Sequence, residues 1–141
     1  MKQYFECKIK YNIILEDGKG KLVTEKYLVY AMSFTEAESN ITKEMTPYIY
    51  GEFIIDDISR ANYSELFLDE GEKYYDAKLA FITLDEKSGK ENKSTVNILV
   101  QANDMRDAMN KLDEGMKGTM ADYESVKLQE TSIVDVFLNC K

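Results

Sequence analysis

The segment from Lys26 to Met45, KYLVYAMSFTEAESNITKEM, joins a short apolar run to a helix-capping signal and an amphipathic stretch. The same order of features returns between Asn97 and Met116, as NILVQANDMRDAMNKLDEGM. Apolar side chains recur at helical spacing in both segments, at Phe34, Ala37, Ile41 and Met45 and at Met105, Ala108, Leu112 and Met116. Each segment therefore predicts a strand that leads into an amphipathic helix.

Capping residues define where these helices begin. Ser33 is followed three residues later by Glu36, which is the pattern of a capping box. Asp104 occupies the equivalent position in the second segment, and Asp107 three residues later favours the positive end of the helix dipole. Pro47 restricts the residue before it and so predicts the end of the first helix.

A β-hairpin precedes each predicted helix. Apolar and polar residues alternate from Phe5 to Tyr11, which is typical of a half-buried strand. Glycine-containing turns at residues 16–21 and 85–93 separate the strands of each pair. The predicted strands are residues 4–15, 22–31 and 52–57 in the first half, with 58–68 as an extension after a bend, and residues 77–84, 94–102 and 122–130 in the second half. Residues 133–138 are a closing apolar run.

These matches predict an α+β fold made by tandem duplication of a ββαβ unit, with antiparallel sheets that are each covered by one helix. We expect residues 1–68 to form the first half, residues 69–73 (DEGEK) a short linker, and residues 74–141 the second half. Because the linker is short, we expect one compact domain with pseudo-twofold packing rather than two separate halves. Exposed sheet edges make a homodimer a reasonable expectation.

Composition narrows the function classes. The chain has 141 residues and a formal net charge of −8, which disfavours binding to duplex nucleic acid because that affinity depends on a basic face. Since no apolar run approaches the roughly 20 residues that span a membrane, and the N-terminus does not resemble a secretory signal, we expect a cytoplasmic protein without a membrane partner. Cys7 and Cys140 do not form a disulfide framework or a metal motif; we expect a buried thiol and a tail thiol.

Catalytic motifs are missing from the sequence. It contains no histidine, which removes the commonest general base and metal ligand. Neither a phosphate-binding P-loop nor a dinucleotide-binding glycine pattern occurs. Carboxylates such as Asp56 and Asp57 have no recognisable metal-loop spacing. We therefore expect no cofactor, no metal and no enzymatic activity, and a carboxylate-dependent metalloenzyme is the least favoured alternative.

The two predicted hairpin turns are locally basic although the protein is acidic. Lys19 and Lys21 lie in the first turn, and Lys87, Lys90 and Lys93 lie in or beside the second. Ammonium groups together with backbone N–H groups in a glycine-containing turn can hold a phosphate. The alternative is that these lysines only keep an exposed hairpin soluble.

Tyrosines and arginines complete the set of candidate ligand-binding residues. Tyr48 and Tyr50 follow the first helix, and aromatic faces of this kind can stack on nucleobases. The alternative is that they pack between the two halves. Arg60 and Arg106 are the only arginines, and each is a candidate contact to an anionic ligand or a simple surface residue.

Four strings of sequence resemble an uncharacterised domain-of-unknown-function family from bacteria and their phages. They are SFTEAE (33–38), EMTPYIYGEF (44–53), FITLDEKSG (81–89) and LDEGMKGTMADYE (112–124). The resemblance extends over nearly the whole chain. It implies a small intracellular protein that is often phage-encoded, in which case it would act in the host cytoplasm, and it transfers no catalytic residues.

Two functional hypotheses follow. The first is a non-enzymatic binding protein, phage-encoded and active against host defence, that sequesters a phosphorylated small molecule such as a nucleotide immune signal. The second is a protein–protein interaction module that inhibits or assists a host or phage protein, for which an acidic surface and open sheet edges are suitable. The partner would accordingly be a small nucleotide-like ligand or a host protein.

Overall fold

The computed structural model describes residues 3–138, which form two compact units. The first unit contains the described residues up to Ala61 together with those from Ser132 onward, and the second unit is Asn62–Thr131. Each unit has one α-helix and one four-stranded sheet. The predicted α+β class is therefore confirmed. Residues 69–73 connect two strands inside the second unit.

The hairpin strands, the helix and the strand after the helix correspond in order and closely in length between the two units, whereas the short fourth strand is last in the first unit and first in the second. The first unit consists of β1 (Gln3–Ile14), β2 (Gly20–Ala31), α1 (Phe34–Met45), β3 (Phe53–Ala61) and β8 (Ile133–Phe137). The second unit consists of β4 (Glu65–Phe67), β5 (Lys73–Leu84), β6 (Glu91–Ala102), α2 (Met105–Gly115) and β7 (Asp122–Glu130).

Strand pairing is mixed in both sheets, so the expectation of purely antiparallel sheets is wrong. The strand orders are β3-β1-β2-β8 and β4-β6-β5-β7. The hairpin strands and the strand after each helix pair antiparallel, whereas β8 is parallel to β2 and β4 is parallel to β6. A short strand supplied from elsewhere in the chain thus adds a parallel edge to each sheet.

The short fourth strands explain why the predicted extension of β3 over residues 58–68 is only partly correct. β3 continues as far as Ala61, which pairs with Tyr4 near the beginning of β1. Beyond that pair β1 offers almost no further partner, so an extended β3 would leave its hydrogen-bonding groups unsatisfied. Residues 65–67 instead pair with Ile98–Val100 of β6. In the same way, β8 follows β7 in the chain but belongs to the first sheet.

Matching irregularities make the two sheets compatible with a duplicated unit. The register of β1 on β3 shifts between Lys8 and Ile9, and the register of β5 on β7 shifts between Lys78 and Leu79. These positions correspond when the two hairpins are superimposed in sequence. Because bulges are conserved within families, a bulge at the same place in both sheets is compatible with a duplicated unit.

Each helix covers one face of its own sheet and encloses a separate core. Phe5, Ile9 and Ile41 are fully buried in the core of the first unit. Leu79 and Leu112 are fully buried in the core of the second unit. Both predicted N-caps are confirmed: the Ser33 Oγ accepts the Glu36 N–H at 3.1 Å, and the Asp104 Oδ1 accepts the Asp107 N–H at 2.8 Å. Neither helix within residues 3–138 is long and apolar enough to cross a membrane.

Candidate functional site

A cavity of about 300 Å³ lies in the first unit, beside the C-terminal end of α1. Its wall combines residues from β1, β2, β8 and the segment that follows the helix. The lining residues are Tyr11, Glu25, Tyr27, Met45, Tyr48, Ile49, Val134, Asp135 and Phe137. A volume of this size is at the lower end of the range for small-molecule sites.

The strand pattern places a carboxylate on the core side of the sheet. Successive residues of a strand point to opposite faces, so Glu25 shares a face with Tyr27, whose side chain is only 5% exposed and belongs to the core. Glu25 pairs with the fully buried Ile9 on the adjacent strand. The helix ends at Met45, and this inward-facing carboxylate lines the cavity found there.

Two tyrosines hold the Glu25 carboxylate. The Tyr11 hydroxyl donates a hydrogen bond to Glu25 Oε1 at 2.5 Å, and the Tyr27 hydroxyl donates to the same oxygen at 3.2 Å. We call Tyr11, Glu25 and Tyr27 the tyrosine–glutamate cluster. The Tyr27 ring also stacks on Phe137 of β8, with centroids 5.5 Å apart and planes 13° apart. Both the carboxylate and the flat aromatic wall are therefore fixed in position.

Hydrogen bonding, burial and nearby negative charge together raise the pKa of both phenols. The hydrogen bond to Glu25 is the main cause that raises the pKa of Tyr11 to about 12, with burial and the Glu25 charge adding to it. Burial is the main cause of the raised pKa of Tyr27, and the charges of Glu25 and Asp135 act in the same direction. A second anion at this site is unfavourable because it would lie beside carboxylates.

The second unit has a cavity at the equivalent place, and its lining is different. This cavity has a volume of about 410 Å³ and is bounded by residues from β4, β5, β6 and the end of α2. In register, Phe81 stands for Tyr11, Val96 for Glu25 and Ile98 for Tyr27. The acidic residue on the short fourth strand is retained, as Asp135 in one cavity and Glu65 in the other. The fold therefore forms without a tyrosine–glutamate cluster in one of its two units.

The five predicted lysines lie on the two exposed hairpin ends, with Lys19 and Lys21 in the first unit and the others in the second. The glycines of both turns have positive φ, 83° at Gly18 and 69° at Gly89. Several N–H groups of the turns already donate to nearby side chains: Lys19 to Asp17 and Lys87 to Asp85 at 3.0 Å, and Lys90 to Ser88 at 3.3 Å. Lys93 forms an ion pair with Glu124 at 3.0 Å. Phosphate binding at these turns stays a prediction.

The other predicted ligand-binding residues are dispersed. Only Tyr48 lines the cavity, and 78% of its surface is exposed. Tyr50 is fully exposed nearby in sequence but does not line it. The Arg60 guanidinium lies 5.4 Å from the centre of the Phe34 ring, an arrangement typical of a cation–π contact. Arg106 is exposed in the first turn of α2.

Two features of the sequence point to the tyrosine–glutamate cluster. Glu25 falls on the same alternation as Tyr27 and Val29, so a charged residue on the core face was detectable from strand periodicity alone. Pairing the two halves also sets Glu25 against Val96, a change from apolar to charged at a core-facing position. The contribution of Asp135 was not detectable, because it depends on the pairing of β8 with a distant strand.

The described residues offer no competing metal centre or thiol site. Among residues 3–138, no group of three or more histidine, cysteine, aspartate or glutamate side chains is arranged to hold a metal ion. Cys7 is fully buried in the first core, as expected of a core thiol. Cys140, the expected tail thiol, lies outside the described residues.

Comparison with known proteins agrees with the resemblance noted in the sequence. Comparison with curated proteins and with solved structures yields no match. A family model described as Domain of unknown function (DUF4494) matches residues 3–139, which is nearly the whole chain. The chain therefore belongs to this family of unknown function.

Proposed function

We propose that this protein is a non-enzymatic binding protein whose ligand occupies the cavity of the first unit. One observation supports the proposal above the others: equivalent cavities exist in both units, but only the first carries the tyrosine–glutamate cluster. Buried polar groups cost stability relative to a well-packed apolar replacement. A cluster that the fold does not require at that position is therefore better explained by binding than by folding.

The dimensions and chemistry of the cavity support a small ligand or a single side chain. A volume of about 300 Å³ is at the lower limit for small-molecule pockets. Apolar contacts from Met45, Ile49 and Phe137 surround a few fixed polar atoms of the cluster. This combination of an apolar wall with convergent polar groups is the usual composition of a specific binding site.

Fragment binding tests the proposal. We expect members of a small fragment library containing cations, neutral molecules and anions to bind the full chain saturably, as followed by ligand-observed NMR. Binding should be lost in the double variant Tyr11→Phe, Glu25→Val, which introduces the residue types that the second cavity has at these two positions. Glu65→Gln, in the second cavity, is the matched control and should bind like the original protein. Absence of binding by every fragment, or unchanged binding by the folded double variant, would refute the proposal.

A phosphorylated ligand that binds at the lysine turns is an alternative form of this binding hypothesis. Of the described residues that line the first cavity, none is a lysine or arginine, so we expect a nucleotide to be held by the turns themselves. We expect cyclic oligonucleotides or ADP-ribose derivatives that bind there to raise the thermal stability of the protein. This stabilisation should be lost in the double variant Lys19→Ala, Lys21→Ala. A folded sample that none of these compounds stabilises would eliminate the nucleotide hypothesis.

A protein-interaction module is the second candidate, and surface exposure favours it. Tyr48 on the cavity rim is 78% exposed and the neighbouring Tyr50 is fully exposed, and tyrosine is enriched where proteins recognise each other.

We also propose that the two units derive from a duplicated ββαβ segment. Pseudo-twofold packing, a homodimer, cytoplasmic location and a phage role against host defence all stay predictions.

A further inference from the structure

We propose that the first-unit cavity selects an organic cation, an alkylammonium or a guanidinium group attached to a small apolar body. The inference rests on the proposed binding function and adds the chemical class of the ligand. It depends on the charge of the lining, on its aromatic surfaces and on the contrast with the second cavity.

The first step concerns charge. Glu25 and Asp135 both line the cavity, from β2 and β8, and no basic side chain is among the lining residues within 3–138. Within residues 3–138, both hydrogen bonds to the Glu25 side chain reach Oε1, and no lysine or arginine forms an ion pair with it. A carboxylate can accept about four hydrogen bonds. Glu25 thus offers a donor cation free acceptor capacity and a negative charge that has no ion-pair partner among residues 3–138.

The second step concerns the aromatic surfaces. Tyr11, Tyr27, Tyr48 and Phe137 provide four rings in the lining, two of which are stacked as one flat wall. The face of an aromatic ring attracts a cation within about 6 Å, and several rings together recognise substituted ammonium groups. The rings also provide apolar contact for the carbon part of such a ligand. Carboxylates beside aromatic faces are thus complementary to both parts of an organic cation.

The third step concerns anionic ligands. The raised pKa of Tyr11 and Tyr27 reports that forming an anion in this cavity is unfavourable. Burial, the main cause for Tyr27, opposes a charge of either sign, whereas the negative charges of Glu25 and Asp135, which also contribute, favour a bound cation. A phosphate or carboxylate ligand would lie against the Glu25 carboxylate, and none of the described residues that line the cavity is basic. The cavity therefore discriminates by sign as well as by size.

The fourth step is the internal comparison. The second cavity keeps one acidic residue, Glu65, but has Phe81, Val96 and Ile98 in place of the cluster. It lacks the inward-facing carboxylate that the first cavity has at Glu25. We expect cation selectivity in the first unit only. Two sources can supply the cation: a free small amine, or the lysine or arginine side chain of a protein.

Isothermal titration calorimetry on the full chain tests the inference with four probes of similar size. We expect benzylammonium and benzylguanidinium to bind, and benzyl alcohol and benzoate to bind at least about tenfold more weakly, a difference of about 1.4 kcal/mol. Glu25→Gln keeps the side-chain shape and removes the charge, so it should abolish this preference. Glu65→Gln should leave it unchanged.

The outcomes separate the inference from the proposed function. Equal affinity for benzylammonium and benzyl alcohol would overturn cation selection while leaving the cavity as a binding site. Tighter binding of benzoate would overturn it as well. Failure of all four probes, together with an unsuccessful fragment screen, would refute both proposals.

A pair of peptides identifies the source of the cation. Acetyl-Gly-Arg-Gly-amide presents a guanidinium on a backbone, and the citrulline analogue presents a neutral group of almost the same shape. Stronger binding of the arginine peptide than of benzylguanidinium supports a protein side chain, and weaker binding supports a free small cation. Equal binding of the arginine and citrulline peptides, with no preference among the small probes, would contradict the inference.

Discussion

The ionisation of Tyr11 reports directly on the charge that Glu25 places in the cavity. The Tyr11 hydroxyl donates to Glu25 Oε1 at 2.5 Å, and this hydrogen bond is the main cause of a pKa of about 12 instead of the ordinary 10.0. In Glu25→Gln the amide oxygen still accepts the hydrogen bond, but the negative charge is gone. We expect the pKa of Tyr11 to fall towards 10 in that variant.

Coulomb's law sets the size of the effect. Two unit charges 4 Å apart, the separation of a phenolate and a carboxylate without a shared proton, repel by about 1 kcal/mol in water and about 4 kcal/mol at an effective dielectric constant of 20. At 1.36 kcal/mol per pKa unit, these limits correspond to about 0.7 and about 3 units. The rise of the Tyr11 pKa from 10.0 to about 12 also includes the hydrogen bond to Glu25 and burial, which are its larger causes, so Glu25→Gln should remove only the part that comes from the charge.

Ultraviolet absorbance of the phenolate during a pH titration measures this pKa. Because the chain contains ten tyrosines, the Tyr11 signal is taken as the difference between the original protein and Tyr11→Phe. The folded-state pKa lies above the unfolded value, so the contribution of Tyr11 to stability is complete below pH 10 and is lost as pH rises towards 12. A Tyr11 pKa near 10 in the original protein, or the same value in Glu25→Gln, would refute the assignment of the cavity charge to Glu25.

Two further predictions concern the fold and are measured by urea denaturation. Ser33→Ala should destabilise the protein by about 1 kcal/mol, because it removes the acceptor of the Glu36 N–H at the start of α1; an unchanged midpoint would contradict the cap. Gly71→Ala should lower the midpoint clearly, since a Cβ there would lie 2.6 Å from the backbone of Ala102. Gly20→Ala, which meets nothing within 4 Å, is its matched control, and equal midpoints for the two variants would refute the close approach at Gly71.

Local patterns made the hairpins, helices and caps predictable. Alternation in residues 5–11, the capping residues Ser33 and Asp104 and the stop at Pro47 each depend on neighbours a few positions away. The structure ends α1 at Met45 and places β7 at Asp122–Glu130, as the sequence predicts. Such features are encoded by spacing, which requires no knowledge of distant contacts.

The sheet that each fourth strand joins was not predictable, because the partner strands are remote in sequence. Residues 65–67 and Ile133–Phe137 are short apolar runs that carry no local sign of which sheet they join. Their parallel pairing with β6 and β2 depends on where a free sheet edge lies after the antiparallel pairs have formed. The cavity depended on the same information, since Asp135 and Phe137 reach it only through β8.

Clustered charge and strand periodicity point to different places in the structure. Clustered lysines such as Lys19 and Lys21 are conspicuous in an acidic sequence, yet they lie on exposed hairpin ends. Glu25 is one acid among 26 acidic residues and is distinguished only by its face of the strand. A polar residue on the core side of a strand, with an apolar residue at the matching repeat position, proved the more informative pattern.

Chemical-shift mapping with benzylammonium tests most directly whether the first-unit cavity is the ligand site. In a two-dimensional ¹H–¹⁵N NMR titration, the account predicts saturable shifts centred on Tyr11, Glu25, Tyr27 and Asp135, and an affinity at least about tenfold lower in Glu25→Gln. Shifts centred instead on the lysine turns or on the second cavity, or no shifts at all, would contradict it.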